Sequence, residues 1–586
     1  MAKEKKENLE NIRHSLAHIL AAAVLKKFPG AKLGIGPAIE NGFYYDFLFQ
    51  GQISPDILPE LEKIMEEIIK QNLSFSGKTV TKTKAIQTFK DQLFKLDLIR
   101  EFTKSKNKKS LKIYKTGEIF FDLCKGGHVK NTGEINPDAF KLTHIAGAYW
   151  RGDEKNQMLT RIYGVAFDTK KELDAHLKML KEAKKRDHKI LGKKLDLFHF
   201  SELVGSGLPL FTPKGTILRD SLDSFVWELR KERGYQRVDI PHITKNNLYI
   251  TSGHWEKFKD ELFKIKTREG HLFAMKPMNC PHHIQIFQRK LWSYKELPVR
   301  YASTTKVYRD EQTGELSGIN RVRSITQDDA HSFCRKAQIK QEVKSIFEIV
   351  EKFYKTLGFK IEVHLSAHNP KNMEKYLGSP KIWKDAETIL GSAIKEKKYK
   401  AITDLGEAAF YGPKIDFIGY DSLGRKLQLA TIQLDMNMPE RFNLTCVDEK
   451  GKKEKILIIH AAIMGSIERF LSGYIEHTAG VFPVWIAPVQ VKILPVGKKF
   501  ISYAEKIKDS LDKENIRVEV DSTDETLGKR IRASEIEKIP YILVVGEKEQ
   551  KKKTVNVRHY KKGVLGDFNV SKLISKLISE IKQKTI

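Results

Sequence analysis

Cysteine is scarce in this chain, with four in 586 residues and no C-x-x-C pair. That excludes a disulfide scaffold and fits a reducing, cytoplasmic compartment. Long apolar runs are also missing. ILAAAVL, near the start, is among the longer ones, and it falls far short of the roughly 20 residues that span a bilayer. The opening MAKEKKENLE is charged and leads into an amphipathic helical pattern, so no secretory signal is expected. No internal repeat is visible. Acidic residues are outnumbered: 74 Asp and Glu against 104 Lys and Arg give a net charge of +30. Charge alone leaves two readings open, a lysine-rich solvated surface or a polyanionic partner.

The length exceeds one ordinary domain, and two to about four are expected. We read 1–168 as a mixed helix and strand domain and 169–192 as a charged helical connector, with Leu173, Leu177 and Leu180 at helical spacing. Residues 193–487 carry strand-like stretches such as KLQLATIQLDM and KEKILIIH, as in an antiparallel sheet with helices. In 488–586 strand and helix patterns alternate, which predicts a small α/β domain with largely parallel strands. The whole is an α+β multidomain protein. KSKNKK and EKEQKKK read as exposed loops or turns.

Polar residues sit densely inside strand-like sequence in the third segment. In RVRSITQDDAH, a strand turns Gln327, Asp329 and His331 to one face. An unpartnered carboxylate is costly in a dry core, so this face lines a polar cavity or meets solvent. In YRDEQTGELSGINRVR, Arg309 and Glu311 share a face if the strand runs through them, and a turn with Gly314 and Gly318 leads back to Arg321. Arginine forks and a carboxylate suit a nucleoside triphosphate; the plain alternative is a surface hairpin with ion pairs. FYGPKIDF supplies Tyr411, Lys414 and Asp416; KLQLATIQLD supplies Gln428, Thr431 and Gln433. GSIERF places small Gly465 and Ser466 ahead of Arg469. KPMNCPHH holds Met278 and Cys280.

Cys280, His331 and His460 together offer one thiolate and two imidazoles. That set favours zinc with a fourth position open. Their spacing matches no local metal motif, so Cys280 by itself reads as a small buried hydrophobe; the surrounding segments carry the metal reading. A second cluster pairs His14 and His18, i,i+4 in RHSLAHILAAAVL, with Asp122, Cys124 and His128 of FDLCKGGH. It reads first as a zinc site of one cysteine and three histidines, with packed core histidines as the alternative.

YRDE with its later Arg, GYQRVDIPHI around Pro241, and GSIERF resemble the three motifs of class II aminoacyl-tRNA synthetases. KPMNCP, TQDDAH, FYGPKIDF and IIHAAIMGSIERF together resemble the threonyl-tRNA synthetases, over nearly the whole chain. The resemblance implies ATP-dependent ligation of L-threonine to tRNA(Thr) through a threonyl-adenylate. Cys280, His331 and His460 would hold one Zn2+, and Mg2+ would enter with ATP. Asp329 would accept from the threonine hydroxyl, with Gln327 and Tyr411 near the amine. Arg309 would hold the α-phosphate, Glu311 the adenine, and Arg321 and Arg469 the triphosphate. Met278, Lys414, Gln428, Thr431 and Gln433 would line the substrate pockets.

By the same resemblance, 1–168 is a hydrolytic editing domain that clears Ser-tRNA(Thr) with His14, His18, Lys95, Asp122, Cys124 and His128. The last domain would read the anticodon through Arg532, Glu549 and Arg558. A homodimer through the Pro241 region is implied, no membrane is involved, and the ubiquitin-like domain that opens many relatives is not expected. The chain departs from the family pattern at Ile325, where an aromatic is usual, at Ala430 and Ala461, and at Gly127, where proline is usual. Other readings are a non-catalytic RNA-binding regulator on this scaffold, or another class II synthetase such as a prolyl or seryl enzyme.

Overall fold

The apolar run after His14 lies in a long helix, α1 (Ala2–Lys27), followed by β1 (Gly42–Leu48) and α2 (Leu58–Lys70). Every residue of α1 from Ser15 to Val24 is buried. This stretch is therefore enclosed on all sides and is not the amphipathic surface helix expected from its charged start. Leu16 and Leu20 pack with Phe43 and Phe47 of β1 and with Leu61 and Met65 of α2. The chain continues through β2 (Phe75–Thr81), α3 (Leu93–Ser105), β3 (Ser110–Thr116), β4 (Phe120–Leu123), β5 (Phe140–Tyr149) and β6 (Met158–Ala166). β1, β6 and β5 form one antiparallel sheet with two short strands, and β2, β3 and β4 a second.

The computed structural model describes residues 2–105 and 110–585 and divides into two compact units, Met1–Glu182 and Ala183–Ile586. The KSKNKK tract starts at the end of α3 and otherwise lies outside the described residues. The predicted connector is two helices, α4 (Lys170–Arg186) and α5 (His188–Lys194). They break at Asp187, whose carboxylate caps α5 by accepting from Lys189 N at 2.7 Å.

In the second unit α6 (Pro213–Lys231), β7 (Gln236–Arg237), α7 (Cys280–Phe287), β8 (Val299–Tyr308), β9 (Ser324–Cys334), α8 (Ile339–Thr356), β10 (Lys360–Ala367), β11 (Ile402–Leu405), β12 (Lys414–Tyr420), β13 (Lys426–Asp435), β14 (Leu457–Ser466) and α9 (Ile467–Thr478) follow in order. Eight strands form one sheet in the order β7-β8-β9-β14-β13-β12-β10-β11. It is antiparallel except at the two edges, where β7 runs parallel to β8 and β11 to β10. α8 presents Ile339, Val343, Ile346, Val350 and Phe353 at helical spacing. With Leu222, Phe225 and Val226 of α6 they enter the core shared with Ala330, Ile432 and Ile459 of the sheet. That cover leaves the other face of the central strands for polar chemistry.

The final segment comprises β15 (Val491–Pro495), α10 (Ile501–Asp512), β16 (Val518–Val520), α11 (Leu527–Ile536), β17 (Tyr541–Val545), α12 (Glu547–Lys552), β18 (Thr554–His559), β19 (Gly563–Asn569) and α13 (Val570–Gln583). Its sheet order is β16-β15-β17-β18-β19. β16, β15 and β17 are parallel, but β18 and β19 add an antiparallel hairpin, so the expected largely parallel sheet holds for half of the pairings. EKEQKKK is not a loop. It forms the short helix α12, with the N-cap Gly546 N donating to the Glu549 side chain.

Candidate active site

Strand alternation brings Gln327, Asp329 and His331 of β9 to the open face. His331 pairs directly with His460 of β14, and Cys280 stands at the first position of α7. All three donors are buried, and their ligand atoms lie within 4.8 Å of one another. His331 Nε2 is buried without a hydrogen-bond partner. Its Nδ1 is 2.8 Å from His283 Nδ1, and His460 Nε2 is 3.0 Å from Asp435 Oδ2. A thiol, two imidazoles and an orphaned ring nitrogen suit zinc, with outer partners that orient both rings. Burial pushes the Cys280 thiol well up, with Asp329 and Asp435 adding to it, and pushes the His331 imidazole well down; a cation at the centre would reverse both penalties.

Asp329 borders this cluster, 3.9 Å from His331 Nε2. Burial raises its carboxyl to about 6, opposed by His460 and by Asn279, whose Nδ2 donates at 3.2 Å. The Tyr411 hydroxyl donates to Gln433 Oε1, and the Tyr411 ring stands 5.2 Å from that of His460. His283, Asp435 and Asn279 were missed in the sequence, although KPMNCPHH and IQLDM contain them. Helical spacing from Cys280 singles out His283.

Beside the cluster opens a cavity of about 540 Å³ lined by Arg309, Glu311, Arg321, Gln327, Gln428, Thr431 and Arg469, with Ile325, Ala430, Ala462 and Met464. Strand β8 stops at Tyr308, so Arg309 and Glu311 belong to a hairpin connection and not to a continuing strand. A backbone bond from Arg309 N to Arg323 O and a side-chain bond from Arg323 Nε to Glu311 O, both 3.0 Å, hold that connection. Arg309 donates to Met278 Sδ at 3.3 Å and lies over the Phe258 ring, while its buried Nε has no partner. Arg321 pairs with Glu311 at 2.7 Å and Glu315 at 3.0 Å. Arg469 sits in the first turn of α9, capped by Ser466. Lys414 is tied to Asp416 at 2.7 Å, which also accepts from Gln428 at 3.2 Å. The Thr431 hydroxyl is buried and unpartnered.

In the first unit, one face of α1 presents His14 and His18 to a loop carrying Cys124 and His128. Cys124 Sγ is 3.5 Å from His14 Nε2 and 3.2 Å from His128 Nε2, and the four donors lie within 4.8 Å of one another. Burial raises the Cys124 thiol to about 11 and lowers the His128 imidazole to about 2. Gly127 has φ +89, which proline, fixed near −65°, cannot adopt, so the departure at this position is built into the loop. Lys95 Nζ is 2.6 Å from Asp122 Oδ1, and the Tyr45 hydroxyl donates to Asp122 Oδ2 at 2.6 Å. A cavity of about 510 Å³ opens at Cys124 between Leu98, Phe102, Leu111, Lys112 and Lys125.

The three remaining residues stand on separate elements. Arg532 is exposed on α11. Glu549 accepts from Gly546 N at 2.9 Å within the cap of α12. Arg558, on β18, is 3.6 Å from Glu535 of α11.

The model of the tRNA synthetase class II core domain (G, H, P, S and T) matches residues 263–478, and that of an anticodon binding domain matches 490–580. The threonyl and alanyl tRNA synthetase second additional domain matches 111–163. Threonine–tRNA ligase of Porphyromonas gingivalis is 46% identical over 576 residues, covering 97% of this chain and 87% of the relative. That of Gloeobacter violaceus is 45% identical, covering 99% and 93%. Among solved structures, the RNA binding domain of threonyl-tRNA synthetase from Cryptosporidium parvum superposes with a TM-score of 0.64 at 36% identity, covering 67% of this chain and 98% of that one. A threonyl-tRNA synthetase from Aeropyrum pernix gives 0.61 at 30%, covering 68% and 97%. With 46% and 45% identity to the two ligases over nearly its full length, and with core, anticodon-binding and second additional domains all matched, the chain belongs to the threonine–tRNA ligase family.

Proposed function

We propose that the chain ligates L-threonine to tRNA(Thr) with ATP and clears Ser-tRNA(Thr) at a second, hydrolytic site. One juxtaposition carries the reading: the Cys280, His331 and His460 donors, within 4.8 Å of one another, share a sheet face with the arginine-lined cavity. Cys280, His331 and His460 would hold one Zn2+ per chain. When bound there, it supplies a Lewis-acid position for the amine and hydroxyl of the amino acid. Asp329 accepts from the hydroxyl, and Gln327 and Tyr411 flank the amine. Arg309, from its partly desolvated place over Phe258, orients the α-phosphate of Mg2+-ATP. Glu311 accepts from the adenine amino group, while Arg321 and Arg469 bind the outer phosphates; Met278, Lys414, Gln428, Thr431 and Gln433 complete the walls.

The threonine carboxylate attacks the α-phosphorus and pyrophosphate leaves. A terminal ribose hydroxyl of tRNA then attacks the acyl carbon and AMP leaves. Positioning of the two substrates supplies much of the rate. Valine lacks the hydroxyl and is rejected. Serine lacks one methyl, worth only about 1–3 kcal/mol, which is why a second site is needed. There His14, His18, Lys95, Asp122, Cys124 and His128 would direct water at the ester. We assign 1–168 to editing, 169–192 to a linker, 193–487 to catalysis and 488–586 to the anticodon, with Arg532, Glu549 and Arg558 at base edges. Exposed Pro241 and Ile243 beside the edge strand β7 support a homodimer through that region, and the scarce cysteines support a cytoplasmic setting.

ATP–pyrophosphate exchange over a panel of amino acids tests the reading. Threonine should drive strong exchange, serine weaker exchange, and valine or proline almost none. Exchange driven best by proline, or by no amino acid, would replace it with another class II enzyme or with a binding protein.

A further inference from the structure

Strands β9 and β14 fall out of step in the middle of the site. Asp328 pairs with Gly465 and Ala330 with Ala461, so Asp329 alone faces Ala462, Ile463 and Met464. On its other edge β14 pairs in step with β13 up to Ala462, which lies opposite Thr431, with His460 opposite Gln433. The bulge is anchored in the backbone, since Gly465 holds φ +67, which side-chained residues seldom adopt.

A bulge strips backbone groups of their ladder partners, and buried groups need replacements. Here three side chains supply them from the helix-covered face, behind the site. Asp328 Oδ2 accepts from Ile463 N and from Met464 N, both at 2.8 Å. The Tyr354 hydroxyl, on α8, donates to Ile463 O at 2.6 Å. Arg230, on α6, donates to Ala461 O at 3.3 Å and ion-pairs with Asp328. Asp328 is 0% and Arg230 3% exposed. A buried ion pair adds little net stability compared with apolar packing, so stability alone is a weak reason to place one here.

The position of the bulge gives it a role. Ala462, Met464, Gly465, Ser466 and Arg469 line the nucleotide cavity, whereas His460, just before it, faces His331 and the amino-acid end. The inserted residues set the offset between these two halves. We propose that Arg230, Asp328 and Tyr354 are positioning residues: they hold the β14 bulge from behind, and through it align the nucleotide end of the site with the amino-acid end for attack on the α-phosphorus. The proposal rests on the functional reading above. His331 and His460 pair directly outside the bulge, so metal retention is set separately.

The test is threonine-dependent ATP–pyrophosphate exchange in the full chain, expressed per site that forms adenylate in a burst titration, together with zinc content and thermal unfolding. Tyr354→Phe removes one hydroxyl and leaves the ring in the core. Asp328→Asn removes the charge facing Arg230. Misalignment by a fraction of an ångström should lower exchange per titrated site about 3–10-fold in Tyr354→Phe and at least about 10-fold in Asp328→Asn. KM for ATP and threonine should stay within about twofold and zinc content at the wild-type level. Should Asp328→Asn fail to fold, Tyr354→Phe decides alone. Wild-type turnover per titrated site with only a lower melting temperature would overturn the proposal, making the three residues a brace for the fold. Loss of zinc in parallel with activity would also overturn it. Absence of threonine-dependent exchange in the wild-type protein would overturn the functional reading, and this proposal with it, before any variant is compared.

Discussion

Replacing Lys95 with methionine probes the proposed hydrolytic site through a buried charge pair. The Lys95 side chain is 2% exposed and that of Asp122 5%, with 2.6 Å between Nζ and Oδ1. Asp122 also accepts from the Tyr45 hydroxyl and from Leu123 N, each at 2.6 Å. Methionine roughly fills the lysine stem but leaves Asp122 a buried carboxylate with no cation. Removing one member of such a pair costs about 3–5 kcal/mol. Amides of α1 and β4 that exchange through opening of this unit should then exchange roughly a hundred- to several-thousand-fold faster. Lys95→Met/Asp122→Asn removes both charges and keeps an acceptor for Tyr45. It should recover most of the lost stability, because pairs replaced by neutral groups are often near neutral. Hydrolysis of preformed Ser-tRNA(Thr) should stay low in both variants if the charges act in the chemistry. Hydrogen exchange by mass spectrometry on the full chain and a deacylation assay read the two effects separately. Unchanged exchange in Lys95→Met, or a double variant as unstable as the single one, would refute the buried-pair argument; full hydrolysis in the double variant would remove Lys95 and Asp122 from the site.

Ile325 lines the proposed nucleotide cavity where an aromatic is usual, and stacking on a base is worth roughly 1–3 kcal/mol in single-strand binders. Ile325→Phe should therefore lower KM for ATP in the exchange assay, and a rise would show the pocket repacked around isoleucine. In chelator-treated protein, the Cys124 thiol, raised to about 11 by burial, should alkylate at pH 8 roughly two orders of magnitude more slowly than a free thiol and speed up past pH 10. A rate that levels off below pH 9 would contradict that environment. Arg558→Ala should weaken threonylation, spare ATP–pyrophosphate exchange, and lose its effect on tRNA with an altered anticodon; equal losses on both tRNAs would rule out base reading.

Much of this architecture was legible because chemistry and period coincide. The two-residue repeat through Gln327, Asp329 and His331 needs only strand geometry, and the i,i+4 pair His14 and His18 needs only a helix. What failed was partly local and partly non-local. The KEQKK charges of α12 read as a loop, but a Glu549 side chain folding back on Gly546 N makes a helix of them. The hairpin of β18 and β19 hid in TVNVRHYKKGVLGDFN, whose polar residues mask the alternation. Nothing near Asp328 in sequence reveals that it caps a bulge in a strand more than a hundred residues away. Likewise His283 and Asp435 gain their places only when α7 and β13 meet the central strands. The continuation of β8 through Arg309 failed because that backbone bonds to Arg323 across the hairpin and leaves the sheet.

Threonine selection is assigned here to a site built on Cys280, His331 and His460. Metal content and threonine-dependent ATP–pyrophosphate exchange, measured on the same preparations of wild-type protein and Cys280→Ser, test it most directly. One zinc per wild-type chain is expected, with loss of both zinc and exchange in the variant while it still folds. A metal-free Cys280→Ser protein that activates threonine at the wild-type rate would contradict it.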